Sequence, residues 1–303
     1  MAACLLLPAM ARAQARPMVD IRLPEAAGVG KPFLAVVESW YPLENVRLRF
    51  NGAEVRPMVS QEGGKSVAPV LLGIGLFGEP GVYPVEVAAS IWGHERTFIA
   101  DMTIRKSTWG RETLRVAPKM AVPPPEALAR IKREREVFRA AVSRVSATRH
   151  WTLPFIRPAK GKMLSRFGLH RVFNGKTKSR HTGLDFRAWL GTPLFAIAKG
   201  RVVLTGSFYY AGNSVLIDHG NGLFSLTAHL SEFLVKEGDM VEAGQTVGLS
   251  GATGRVTGAH LHLGVFVQGQ VVDPELFFDG ELESNFNGKS VKSDNNELVK
   301  IIE

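Results

Sequence analysis

The stretch "TGAHLHLGVF", Thr257–Phe266, places two histidines on either side of one leucine within an apolar, β-prone run. Side chains alternate between the two faces of a strand, so His260 and His262 are predicted to share one face. Two titratable rings side by side on an otherwise buried-looking strand make this stretch the first candidate for a functional site.

The composition of the whole chain bounds the class of protein. A length of 303 residues suffices for about two domains, and the 17 prolines and 31 glycines favour a β-rich architecture over a helix bundle. The formal charge of +9 indicates an anionic partner. Nucleic acid, anionic lipid and the acidic bacterial cell wall all fit that charge, which alone does not choose among them.

The first 15 residues predict a signal peptide, because a short apolar core, 5–10, is followed by small residues at a cleavage-site spacing. The usual basic front end is missing, which leaves open an upstream start with Cys4 as a lipid attachment site. Cys4 is the single cysteine, so the mature chain would contain neither disulfide nor thiol chemistry. No apolar run approaches a bilayer-spanning length. We therefore expect an exported protein without an integral membrane segment.

Residues 16–106 predict a small immunoglobulin-like β-sandwich, since short apolar runs alternate with turn signals. Asn51-Gly52 predicts a hairpin after the strand at 46–50. Pro84 suggests an edge position, and His94 reads as a turn residue. The strand candidates are 33–39, 46–50, 82–92 and 96–104, of which the last two are expected to pair.

Residues 107–157 predict a linker that contains a basic amphipathic helix at about 125–146, after three prolines. A solvated connector between domains is one interpretation of this helix, and contact with a membrane or an anionic polymer is the other. Residues 158–279 are again strand-rich, and 280–303 predict a polar, flexible tail. The apolar stripe of the helix consists of Leu128, Ile131, Phe138, Val142 and Val145.

The strand-rich region holds four histidines in distinctive settings. His181 and Asp185 in "RHTGLDF" are four residues apart, a separation that keeps both on one face of a strand, and Gly183 permits a close backbone approach. His229 lies in "LTAHLS". Zinc accepts imidazole and carboxylate ligands, and a hydrolytic site uses three of them. From spacing alone, a metal site and backbone-satisfied histidines both remain open. We expect His219 to be a turn residue, and His150 and His170 to be structural or solvated.

Residues 163–277 closely resemble the LytM/lysostaphin-type zinc metallopeptidase domain, which cuts peptide cross-links of peptidoglycan. A bit more than a third of the chain is covered. The resemblance implies an antiparallel β domain of the duplicated hybrid motif type. It is carried by an ordered set of segments: "SRFGLHR", "RHTGLDFRAWLGTPLFAIAKGRVV", "GNSVLIDHGNGLFSLTAHLS", "VKEGDMVEAGQTVGLSGATGRVTGAHLHLGV" and "VDPELF".

The resemblance also implies roles for individual residues. His229 and His260 correspond to the two catalytic histidines of the family. Thr227 departs from the family pattern, in which an aromatic residue often stands two positions before the lone histidine, so the pocket shape is in question. The resemblance implies one Zn²⁺ per chain, with three ligands: His181, Asp185 and His262.

Two functions follow as hypotheses. The first is a zinc endopeptidase acting on peptidoglycan, at the D-alanyl–diaminopimelate bond of a Gram-negative periplasm, with no nucleic-acid partner. The alternative is a non-catalytic, peptidoglycan-binding regulator of another hydrolase. All five family residues are present, which favours the enzyme. The N-terminal sandwich could bind a regulatory or targeting partner, or shield the active site. The sequence leaves the oligomeric state open.

Overall fold

A computed structural model describes residues 17–115, 122–175 and 177–284. The predicted signal peptide with Cys4, and most of the predicted tail, lie outside the described residues. The strands are β1 (Asp20–Arg22), β2 (Ala27–Gly28), β3 (Pro32–Ser39), β4 (Glu44–Phe50), β5 (Ala53–Val55), β6 (Ser60–Glu62), β7 (Lys65–Gly73), β8 (Gly81–Ile91), β9 (His94–Arg105), β10 (Arg111–Leu114), β11 (Met163–Ser165), β12 (His170–Phe173), β13 (Thr177–Arg180), β14 (Leu184–Phe186), β15 (Pro193–Phe195), β16 (Gly200–Phe208), β17 (Gly212–Gly220), β18 (Leu223–Phe233), β19 (Met240–Val241), β20 (Thr246–Ser250), β21 (Leu261–Val267) and β22 (Gln270–Val272). The helices are α1 (Pro125–Val142), a 3₁₀ turn (Pro274–Phe277) and α2 (Glu281–Ser284).

The N-terminal strands form two sheets, ordered β1-β3-β7-β6 and β2-β9-β8-β4-β5, around one apolar core. Both predicted hairpins are confirmed. Asn51 and Gly52 have φ of 46° and 79° and join β4 to β5. Strands β8 and β9 pair along their whole length, and His94 is the first residue of β9, directly after the Trp92-Gly93 turn.

The edge position predicted from Pro84 holds only locally. Strand β8 lies inside its sheet, between β9 and β4. Pro84 pairs with Asp101 of β9, whereas the pairing of β8 with β4 ends at Glu86. The missing N–H of proline therefore faces the side on which β8 has no ladder partner.

Helix α1 ends at Val142, earlier than the sequence predicted. The Ser143 hydroxyl and its backbone N–H both donate to the Arg139 carbonyl, at 2.6 and 3.1 Å. The next N–H, that of Arg144, donates only three residues back, to Ala141 O at 3.3 Å, so the last turn tightens and the α-helix ends. Ile131 and Val142 are buried as expected, but Leu128 is 53% exposed. The C-terminal turn of the helix packs on the main sheet against Leu216, Phe224, Leu226 and Ala228.

Ten strands in the C-terminal half form one mainly antiparallel sheet, in which β11-β14-β21-β18-β17-β16-β19 are neighbours. Alternate residues of β21, among them Leu261 and Leu263, are fully buried in the principal core of this half. The opposite face carries His262 and the surface on which α1 packs. The mainly β fold expected from the sequence is thus confirmed. Within the described residues, no helix combines the length and apolar character needed to cross a bilayer.

The sandwich is docked on the main sheet through backbone and side-chain contacts. The backbone N–H of Leu76 donates to Val271 O at 3.0 Å, and Lys31 pairs with Asp273 at 2.5 Å. Leu71 and Leu76 contribute to the core of the C-terminal half. The two halves therefore share buried apolar surface.

The segment that follows the sandwich also contacts the C-terminal half. Strand β10 runs parallel to β12, so a small sheet β10-β12-β13 forms beside the main one. Trp109 packs edge-on against Phe167 with ring centroids 5.3 Å apart. The first part of the predicted linker is thus built into the C-terminal half.

Candidate metal centre and catalytic cleft

Two of the candidate metal ligands lie on a row of paired residues that crosses neighbouring strands. Ser165 of β11 is opposite Asp185 of β14, which is opposite His262 of β21, which in turn is opposite Ala228 of β18. Directly opposed residues in antiparallel strands project from the same face. The register therefore places Asp185 and His262 side by side.

Three donor atoms converge at this point of the row. The Asp185 Oδ1 atom lies 3.0 Å from His181 Nε2 and 2.8 Å from His262 Nδ1, and the two nitrogens are 3.2 Å apart. Such separations let all three atoms face one cation, and two imidazoles with one carboxylate suit zinc. The residues present therefore fit the metal that the sequence predicts.

His181 reaches the cluster by a route that the sequence did not indicate. We expected His181 and Asp185 on one strand, but β13 ends at Arg180 and belongs to a different sheet from β14. His181 instead lies on the connection between them, buried, with Nδ1 donating to the Arg166 carbonyl at 2.7 Å. This bond fixes the ring so that Nε2 carries the lone pair.

Gly183, on the same connection, meets the expectation of close backbone approach. A Cβ added there would lie 2.2 Å from Leu263 O and 2.7 Å from His262 Cε1, both sterically forbidden distances. Glycine is thus required for the connection to pass against β21 beside the metal-ligand candidates.

His229 enters the cleft through a break in strand alternation. Because Ala228 is opposite His262, regular alternation would turn His229 to the other face of the sheet. His229 instead has φ of 65°, at an irregularity in the β17–β18 pairing. Its ring lies against those of His260 and His262, with centroids 4.9 and 5.9 Å away. Its Nδ1 donates to Thr253 O at 2.9 Å, which leaves the lone pair on Nε2.

His260 lies on the same side of the cleft as His262, as alternation predicted. Its Nδ1 donates to Gly258 O at 2.9 Å, and its Nε2 is 3.7 Å from Asp185 Oδ1. In both His229 and His260, therefore, Nε2 is the nitrogen that can accept a proton, and both rings lie at the edge of the donor cluster. The structure brings together all five residues that the sequence singled out.

Burial and the neighbouring charges set the protonation of the cluster. Burial alone would raise the pKa of Asp185, but the adjoining rings of His181 and His262 hold that pKa well below its usual range. Burial lowers the pKa of His262. Burial, together with repulsion from His262 and His260, lowers the pKa of His229 to about 3. An ionised carboxylate beside neutral imidazoles is the form that binds a metal cation.

The other histidines lie outside this cleft. The expectation that His219 is a turn residue was wrong: it is a fully buried strand residue whose Nδ1 donates to Lys199 O at 2.9 Å and whose Nε2 accepts from Ser225 Oγ at 2.7 Å. Asparagine and glycine after it form the turn. His170 is exposed on β12, and the backbone N–H of His150 donates to the backbone carbonyl of His219.

Thr227 does not shape the cleft. It is opposite Leu263, whose side chain lies in the principal core, and Thr227 itself is 1% exposed. The departure from the family pattern at this position therefore falls on the core face of β18, and the concern about pocket shape was misplaced.

The cleft contains charged residues that the sequence reasoning missed. It has a volume of about 360 Å³ and is lined by Glu112 of β10, Arg171 of β12 and Arg255, as well as by the histidines. Arg255 stacks over Tyr210, 4.3 Å from the ring centroid. No local motif marks Glu112, and Arg171 lies in the matched segment "SRFGLHR" without a role assigned to it. The two residues meet only through the pairing of β10 with β12.

An open cleft with three converging ligand atoms and two further acceptor imidazoles defines the class of metal-dependent hydrolases. Comparison with known proteins agrees with this class. The profile of peptidase family M23 matches residues 179–274. A crystal structure described as an M23 peptidase from Pseudomonas aeruginosa is 32% identical with a TM-score of 0.59, over 78% of this chain and 88% of that one.

Curated relatives match the C-terminal half. The peptidoglycan DD-endopeptidase ShyA of Vibrio cholerae is 48% identical over 116 residues, which are 38% of this chain and 27% of the relative. The DD-carboxypeptidase/endopeptidase Mpg of Neisseria meningitidis is 46% identical over 115 residues, 37% of this chain and 26% of the relative. The matched region thus spans about a quarter of each relative's length. The chain belongs to peptidase family M23.

Proposed function

We propose that this protein is a zinc-dependent endopeptidase that hydrolyses peptide cross-links of bacterial peptidoglycan, at D-alanyl–diaminopimelate bonds. The observation that carries the proposal is the convergence of three ligand atoms beside two imidazoles with available Nε2 atoms. The names of ShyA and Mpg support the substrate class. The charge of +9 suits a polyanionic wall polymer, and we place the protein outside the cytoplasm, in the cell envelope.

His181, Asp185 and His262 would hold one zinc ion per chain. When bound, zinc polarises a carbonyl and lowers the pKa of water to about 7. Arg166 O, through its bond to His181, keeps the ligand nitrogen directed at the cluster. The low pKa of Asp185 keeps its carboxylate ionised at neutral pH, as a ligand must be.

His260 is the proposed general base. Its Nδ1–H is held by Gly258 O, so Nε2 is the atom that takes the proton from the attacking water. It is also more exposed than His229, which leaves room for the substrate. The protonated ring can then pass the proton to the leaving amine.

His229 is the proposed partner of the oxyanion. Its low pKa keeps it neutral before reaction, so Nε2 orients the water or receives a proton in relay. Negative charge that develops on the substrate oxygen favours a proton on His229 Nε2. The protonated Nε2 would then donate a hydrogen bond to that oxygen. His229 and His260 thus have different roles because their burial differs.

Digestion of purified sacculi, followed by mass analysis of the released muropeptides, tests this proposal. The expected products are monomeric stem peptides separated at the D-alanyl–diaminopimelate bond. Products cut at another bond would correct the specificity. A zinc-loaded protein that binds sacculi without releasing any product would instead support the regulatory alternative.

A further inference from the structure

Arg171 connects the linker strand to the proposed metal ligand Asp185. Its Nη2 donates to Asp185 Oδ2 at 2.7 Å and to Ser165 Oγ at 2.8 Å, while its Nε donates to Glu112 Oε2 at 3.0 Å. Strands β10 and β12 bring Glu112 and Arg171 into direct register. One guanidinium therefore contacts a carboxylate on each side.

The two oxygens of Asp185 face different partners. Oδ1 points to His181 and His262, whereas Oδ2 is occupied by Arg171. A carboxylate whose second oxygen is held by an arginine offers a cation one oxygen rather than two. The arginine thus limits the ligand set to three atoms, and a hydrolytic site needs a remaining position open.

We propose that Arg171 is a positioning residue that holds Asp185 as a one-oxygen ligand, and that Glu112 in turn orients Arg171. The linker strand β10 is then a working part of the metal site. This inference rests on the proposed function only in taking the His181–Asp185–His262 cluster to bind a metal ion.

The direction in which loss of Arg171 changes metal affinity distinguishes a positioning role from the electrostatic effect of its positive charge. Removing a nearby positive charge would by itself strengthen the binding of a cation. Losing the group that orients a ligand weakens binding, typically by about 10- to 100-fold. Arg171→Met retains much of the side-chain length without the charge, so the two effects predict opposite changes.

The test measures zinc affinity of the full-length protein by competition with a chromophoric chelator. Arg171→Met should bind zinc about 10- to 100-fold more weakly than wild type. The zinc affinity of Arg171→Lys should lie between those of Arg171→Met and wild type, because an ammonium group lacks the forked guanidinium that reaches both carboxylates. Glu112→Gln should bind zinc about 2- to 5-fold more weakly than wild type, since the ion pair between Glu112 and Arg171 is partly exposed.

Arg180→Met is the matched control. Arg180 lies on the neighbouring strand β13 and donates to Gly168 O at 2.9 Å, with Asp185 not among its partners. Circular dichroism of the zinc-free proteins confirms that each variant is folded. The control should keep wild-type affinity.

Cobalt substitution provides a readout that a general loss of stability would not move. Co²⁺ in a four-coordinate site absorbs visible light strongly, and the absorption falls when a further ligand binds. Arg171→Met frees Oδ2, so its cobalt form should absorb more weakly than wild type. Unchanged or tighter zinc binding in Arg171→Met, with an unchanged cobalt spectrum, would overturn this inference and leave the proposed function standing. An equal loss of zinc affinity in Arg180→Met would do the same. A wild-type protein that binds neither metal would overturn the proposed function with it.

Discussion

His219 and His229 lie buried on adjacent strands, yet their surroundings give them opposite capacities. Both nitrogens of His219 have protein partners, Lys199 O and Ser225 Oγ. Among the described residues, the His229 ring nitrogens have one hydrogen-bond partner, Thr253 O, and the ring lines the cleft. Burial keeps both rings neutral, so protonation does not distinguish them. What distinguishes a chemically available histidine from a structural one here is a nitrogen left open to substrate.

The largest expected effect is the loss of a metal ligand. Asp185→Ala removes the one anionic donor and leaves two neutral imidazoles, so zinc binding should be lost. Hydrolysis of sacculi should fall about 10⁴-fold or more, because carbonyl polarisation and water activation are lost together. Elemental analysis and a muropeptide release assay measure both. A variant that retains full activity would exclude Asp185 from the metal site.

The next effect separates His229 from the metal ligands. His229→Ala should retain zinc but lose about 10²- to 10⁴-fold in hydrolysis rate, the range for a general acid or base. His260→Ala should also retain zinc and lose hydrolysis rate over the same range, because the proton acceptor for the attacking water is missing. The measurement is the same release assay on zinc-loaded protein. Full activity of either variant would remove that residue from the mechanism.

His219→Gln is the matched test of the other buried ring. It should leave the hydrolysis rate within about twofold, since His219 lies outside the cleft. The free energy of unfolding should fall by about 1–3 kcal/mol, because glutamine cannot keep both buried hydrogen bonds. Chemical denaturation measures this change. A rate loss as large as that of His229→Ala, in folded protein, would erase the distinction between the two residues.

The last effect changes no residue and concerns the pH dependence of the stability that His219 contributes. Burial lowers its pKa from 6.5 to about 4, so between these values the unfolded chain binds a proton that the folded chain does not. Stability from this residue is therefore complete above pH 6.5 and declines as pH falls toward 4, by roughly 2–4 kcal/mol in all.

Denaturation curves for wild type and His219→Gln across that range test the assignment. The gap in unfolding free energy between them should narrow as pH falls. A gap that stays constant from pH 7 to pH 4 would show that His219 titrates normally in the folded protein.

Local patterns predicted the parts of the molecule that depend on neighbouring residues. Alternation placed His260 and His262 on one face, and Asn51-Gly52 predicted its hairpin. Alternation failed at His229, where a positive φ breaks the period of two. It also failed for His181, which reaches the cluster from outside β14.

Contacts between distant segments were beyond such patterns. Glu112 and Arg171 are 59 positions apart and meet only because β10 pairs with β12. The family resemblance supplied the roles of the five site residues, but it covered only the C-terminal part of the chain and so could not include β10. A strand contributed by the linker has no signature in either segment alone.

The zinc content of the purified wild-type protein tests the central claim most directly. After dialysis against a low excess of zinc, elemental analysis should find about one zinc ion per chain, and the same amount in His229→Ala and His219→Gln. A folded wild-type protein that retains no zinc under these conditions would contradict the assignment of His181, Asp185 and His262 as a metal centre.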